Sequence, residues 1–92
     1  MDYNYPIRHD WSTEEMIEVI AFYEVVEKAY ETGILREMLM DAYRRFKKVV
    51  PSMAEEKTLF KEFENVSGYV SFKIIKAAKE GNDGEKIKGV QH

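Results

Sequence analysis

The chain predicts a small all-α protein: a helical bundle of three longer helices and a shorter C-terminal helix, packed up-and-down, with an extended N-terminal arm. Three observations carry that expectation. Apolar residues recur at the helical period of about 3.6 residues through three successive stretches of the 92-residue chain. Two of these stretches open on the same Ser-x-x-Glu signature, at Ser12 with Glu15 and at Ser52 with Glu55. No two segments present themselves as partnered strands, and a lone strand leaves its backbone groups unsatisfied. The length fits one domain, residues 1–80, with 81–92 as a flexible tail.

The arm, residues 1–11, carries Tyr3, Tyr5, Pro6, Ile7 and Trp11. So many large apolar groups in so short a segment favour a groove over water, and Pro6 holds Tyr5 extended. The first helix occupies Ser12 to Gly33, STEEMIEVIAFYEVVEKAYETG. Met16, Val19, Ile20, Phe22, Tyr23, Val26, Ala29 and Tyr30 share a broad apolar arc, with Ile17, Ala21 and Val25 on its flanks. Glu14 and Glu15 suit the positive end of its dipole. Trp11 and Met16 have the spacing of a hydrophobic staple, and Gly33 is the natural left-handed terminator.

The second helix runs from Leu35 to Val50, with Leu35, Met38, Leu39, Ala42, Tyr43, Phe46, Val49 and Val50 on one side. Arg36, Glu37, Arg44 and Lys47 take the other, and Met40 projects outward with them. Pro51 ends it, and the short link at Gly33 and Ile34 makes the first two helices antiparallel. The third helix presents Met53, Leu59, Phe60, Phe63 and Val66 inward and closes at Ser67-Gly68. Glu56 falls on that apolar side, where it is expected to reach solvent at the end of the bundle. Tyr69 to Glu80 alternates as a strand would, but also places Val70, Ile74, Ile75 and Ala78 on one helical side; helix is the reading, because no strand partner exists.

Composition excludes several classes of function. With no cysteine there is neither a disulfide framework nor thiol chemistry. The N-terminus has no basic and apolar regions of a secretory signal, and no apolar run approaches the roughly 20 residues that span a bilayer. The expectation is a cytoplasmic protein without membrane contact. A net charge of −3 gives no global attraction to nucleic acid.

No catalytic, metal or cofactor residues stand out. His9-Asp10 is the only contiguous acid–base pair, and nothing near it in sequence supplies the partners that such catalysis needs. Two histidines at opposite ends of the chain have no zinc-ligand spacing. Glu55 and Glu62 share a face but stand about 10 Å apart along a helix, too far for one cation. The strongest charge feature is Arg44-Arg45-Phe46-Lys47-Lys48. Four cations near a helix C-terminus either grip phosphates or simply complement the dipole, and the negative net charge favours the second reading. Arg45 and Lys48 are placed to meet Glu56 or Glu62. Lys73, Lys76 and Lys79 add a second basic face.

The runs YPIRHDWSTEE, VEKAYETG, YRRFKKVVPSMAEEK and KEFENVSGYVSFKIIKAAKE together resemble the YktA-like uncharacterised family of small bacterial all-helical proteins. The resemblance covers roughly residues 3–80 and leaves the tail from Gly81 outside it. It implies a cytoplasmic bacterial protein and a helical Tyr69–Glu80, and it carries over no site residue.

The function that follows is a small non-enzymatic interaction or regulatory module, working through an unknown protein partner or self-association. Its candidate surface is Tyr3, Tyr5 and Trp11 of the arm with Met40, Arg44, Arg45 and Lys48 of the second helix. The alternative is nucleic-acid binding through the Arg/Lys faces of the second and fourth helices. An enzyme would need a polar pocket, with Glu18, Glu56, Tyr23 and Tyr43 as its candidates.

Overall fold

The Ser12 hydroxyl accepts from the Glu15 amide at 3.1 Å, and the Glu15 carboxylate accepts in return from the Ser12 amide at 2.8 Å. This reciprocal cap starts α1, Thr13–Glu31, in the computed structural model, which describes residues 4–89. At the other end Gly33 takes φ +93°, and the Thr32 and Gly33 amides both donate to the Lys28 carbonyl at 2.8 Å. A short strand β1, Ile34–Leu35, leads directly into α2, Arg36–Val49. The two helices make the most extensive helix–helix contact in the molecule.

The third helix, α3, spans Met53–Ser67. Ser52 caps it by accepting from the Glu55 amide at 3.3 Å, and Gly68 ends it in the left-handed region at φ +81°. Large rings join α3 to its neighbours. Phe22 stacks on Phe60 with centroids 5.6 Å apart, Tyr23 on Phe63 at 4.6 Å, and Phe46 on Phe60 at 5.6 Å. These rings interlock in the core with the fully buried Val19, Val26, Leu39 and Leu59.

The fourth helix, α4, spans Ser71–Glu80, two residues shorter at its start than the expected segment. It buries Ile74, Ile75 and Ala78, while Phe72 on its other side is 58% exposed. Tyr69 instead belongs to the approach: its ring stacks on Tyr30 at 4.7 Å, nearly parallel.

The segment from Gly81 to Gly89 departs from the expected flexible tail. It folds back as β2, Lys86–Ile87, antiparallel to β1 with Ile34 opposite Ile87 and Leu35 opposite Lys86. Ile87, which looked isolated in sequence, enters the core. The Gly89 amide donates to the Ala29 carbonyl at 3.0 Å, and the Gly84 amide to Glu37 at 2.9 Å. The return works because β1 and β2 satisfy each other's backbone groups, a pairing of distant residues that no local pattern encodes.

Helical projection also misplaced several side chains. Met40 packs partly buried against the core, whereas Met38 on the supposed inner stripe is half exposed. Leu35, Met53 and Val66 are exposed as well. All but Met38 lie at element ends or in the strand, where the neighbouring helix no longer covers the stripe. Glu56 does not reach solvent but is buried. Tyr3 lies outside the described residues.

Candidate interaction site

The arm is tied down rather than presented. Tyr5 stacks on Tyr23 at 5.6 Å and its hydroxyl donates to Glu27 at 2.7 Å. Tyr23 donates to the Pro6 carbonyl at 3.0 Å, and Arg8 forks onto Glu62 with two contacts of 3.0 Å. Trp11 is buried. Burial against Glu27, an acid raised by its own desolvation and then by Glu31, costs the arm little, because the phenol supplies the hydrogen bond that water would have made.

Arg44, Arg45 and Lys48 of α2 are exposed, and the two arginines are engaged within their own helix. Arg44 and Arg45 both reach Asp41, at 3.7 and 3.2 Å, as i,i+3 and i,i+4 pairs. Arg45 and Lys48 share a shallow depression with Glu14, Glu15 and Glu18 of α1, so acidic groups line the same surface. Neither Arg45 nor Lys48 meets Glu56 or Glu62. Lys47, assigned from sequence to the outer side, takes the Glu56 carboxylate at 2.5 Å, and Tyr43 donates to its other oxygen at 3.0 Å. A carboxylate buried to this degree needs both partners. Burial, then the Glu56 charge, pushes the Tyr43 phenol up to about 12. Glu18, Glu56, Tyr23 and Tyr43 do not converge: Glu56 and Tyr43 form this pair, Tyr23 serves the arm, and Glu18 lines the separate depression. Among the described residues no three His, Asp or Glu side chains gather as a metal site.

A different place combines exposed apolar surface, unspent charge and unsatisfied polar groups. A cleft of about 320 Å³ lies between α3 and the start of α4, lined by Lys57, Phe60, Lys61, Val70, Ser71 and Phe72. Lys57 and Lys61 sit one turn apart on α3, with Glu64 the only acid in the lining. Neither lysine has an ion pair among the described residues. Where α4 meets the cleft, its N-terminus has no side-chain cap and no acid in its first turn, in contrast to α1 and α3. Val70 occupies the N-cap, and its backbone is satisfied by Tyr30, whose hydroxyl both accepts from the Val70 amide at 3.2 Å and donates to its carbonyl at 3.1 Å. The Ser71 hydroxyl, on a residue only 1% exposed, is the one buried side-chain polar atom with no hydrogen bond among the described residues. None of these residues was singled out from sequence as a surface. The available signal was negative: Tyr69-Val70 stands where the other two long capped helices have serine.

The sequence model of an uncharacterised protein family, UPF0223, matches residues 2–87. The match runs through the returning strand, past the limit at residue 80 expected from the motif resemblance. The UPF0223 protein of Lysinibacillus sphaericus is 56% identical over 88 residues, spanning 96% of this chain and 93% of its own length. That of Bacillus mycoides is 52% identical over 88 residues, covering 96% and 99%. That of Staphylococcus saprophyticus is 51% identical over 83 residues, 90% of each chain. With the family model matching nearly the whole chain and near-complete coverage of these relatives, the chain belongs to UPF0223, an uncharacterised family of small bacterial proteins.

Proposed function

We propose that this chain is a small non-enzymatic module of the bacterial cytoplasm that acts through protein contacts, and that its docking face is the cleft between α3 and α4. The observation that carries this reading is Phe72: a large ring, 58% exposed, lining the same cleft as two lysines that have no ion pair among the described residues. An exposed aromatic rimmed by cations matches an acidic partner segment bearing one apolar side chain, which would bury the ring while its carboxylates meet Lys57 and Lys61. The absence of any acid in the first turn of α4 supports the same sign of charge. The arm and the basic run of α2 support the reading less, since Tyr5, Trp11, Arg44 and Arg45 are already engaged or buried inside the chain and Lys48 shares its surface with three glutamates.

The test is affinity capture from the native bacterium with nuclease present, using the wild type, Phe72→Glu, and a triple variant with Arg44, Arg45 and Lys48 changed to Glu. The expected result is a stoichiometric protein that is lost with Phe72→Glu and kept by the triple variant. A synthetic peptide from its acidic contact segment then binds with an affinity that falls with salt and with Lys57→Glu. Capture that ignores Phe72→Glu, or that vanishes with nuclease, overturns the assignment; the second outcome favours nucleic acid. A dimer abolished by Phe72→Glu would make a second copy the occupant instead.

A further inference from the structure

We propose that the end of α4 within this cleft is an anion-binding subsite, taking a phosphate or carboxylate group on the free backbone amides of its first turn and on the Ser71 hydroxyl. The inference rests on the docking reading for its location only. A helix N-terminus exposes amides that find no partner within the helix, and it carries the positive end of the dipole. In α1 and α3 those amides are served by Ser12 and Ser52, with two glutamates in each first turn. In α4 the N-cap is Val70, which serves none of them, and the first turn, Ser71-Phe72-Lys73, places a cation where the other helices place acids.

The second observation is independent of the helix end. Ser71 is among the residues that line the cleft, it is almost wholly buried, and its hydroxyl has no hydrogen-bond partner among the described residues. A buried hydroxyl is ordinarily satisfied, so this donor is unspent. An anion seated at the first turn accepts from it, and Lys57 and Lys61 lie across the same cleft to complete the charge balance. Phe60, Val70 and Phe72 supply apolar walls, so the anionic group arrives on a larger, partly apolar body rather than as a bare ion. Glu64, the single acid in the lining, sets the direction of approach by repelling the anion from its own side.

The experiment is a titration of the isotopically labelled full chain, following backbone amide resonances with inorganic phosphate, then acetate, against sodium chloride at matched ionic strength. Saturable shifts confined to Ser71, Phe72 and Lys73 are expected. Ser71→Ala is expected to weaken binding several-fold while leaving thermal stability unchanged or raised, since it removes an unsatisfied polar group. Should that variant misfold, Ser71→Cys keeps the volume with a weaker donor and gives the same comparison. Changing Lys57 and Lys61 to Gln weakens binding and flattens its salt dependence. Saturation by both anions assigns a carboxylate source such as an acidic side chain; saturation by phosphate alone assigns a phosphoryl group. Shifts that match chloride, or an affinity indifferent to Ser71→Ala, overturn the subsite. Its failure is distinct from failure of the docking face, because the subsite is read from small-anion titration of the wild type and Ser71→Ala, whereas the docking face is read from capture of a partner.

Discussion

At its first turn α1 spends a serine hydroxyl and a glutamate carboxylate on its own amides; at its first turn α4 has a valine and no acid. The last turns differ as well. The α1 carbonyls are closed by the left-handed turn at Gly33, whereas Gly81 after α4 stays extended, and the Ala78 carbonyl accepts from the Arg36 guanidinium at 2.5 Å. One helix is capped by its neighbours in sequence. The other is capped by Tyr30, forty residues before Val70, and by Arg36, forty-two residues before Ala78. The difference teaches that α4 is helical because the rest of the fold holds its ends, so it should open before α1 does.

Removing the tertiary cap is expected to have the largest effect. Tyr30→Ala deletes the stack on Tyr69 and both hydrogen bonds to Val70, for a cost of about 3 kcal/mol. Hydrogen exchange should show α4 losing protection first; a uniform loss over all four helices would break the comparison. Tyr30→Phe keeps the ring and should cost about 1 kcal/mol, which separates stacking from hydrogen bonding.

Next in size is Arg36→Met. It removes the contact with Ala78 and the 2.6 Å ion pair with Asp83, and is expected to cost about 1.5–3 kcal/mol in denaturant unfolding. Exchange should rise at the end of α4 and along the returning strand together. If only the strand responds, the guanidinium is not the cap of α4.

Ser12→Ala is smaller, about 1 kcal/mol, and should leave the exchange of α4 untouched. Protection lost in α4 on this change would mean that the two helices are not independent at their ends.

The gentlest prediction concerns pH and lies at neither helix end. The Tyr43 phenol is held at about 12 in the folded chain against an ordinary value of 10.0. Between those values the unfolded chain releases a proton that the folded chain keeps, so stability falls as pH rises through that window. The decline should flatten in Tyr43→Phe, read as the slope of unfolding free energy against pH. An equal slope in the variant would remove Tyr43 as its source.

How far the sequence was legible follows the same division. Ser12 with Glu15, Gly33, Pro51, Ser52 and Gly68 mark three helices correctly, because each acts on backbone atoms within four residues of itself. The aromatic core was equally readable, since Phe22, Tyr23, Phe46, Phe60 and Phe63 recur at helical spacing. Glu56 was misread because its partners, Lys47 and Tyr43, sit on another helix, one of them assigned to the wrong side. The cleft was missed for a related reason: Lys57 and Lys61 become a site only beside Ser71 and Phe72, and that adjacency is set by how α3 meets α4.

The sequence by itself determined the all-α class, the extents of α1, α2 and α3, and the rings that fill the core. Periodicity and capping are interactions across one helical turn, so the order of residues suffices to specify them. Only the tertiary structure decided that residues 81–89 return to pair with Ile34 and Leu35, that Arg36 and Tyr30 hold α4, and that a helix start whose N-cap side chain serves no amide shares a cleft with two lysines that have no ion pair among the described residues. Those arrangements join residues tens of positions apart, and their geometry exists only once the helices have packed.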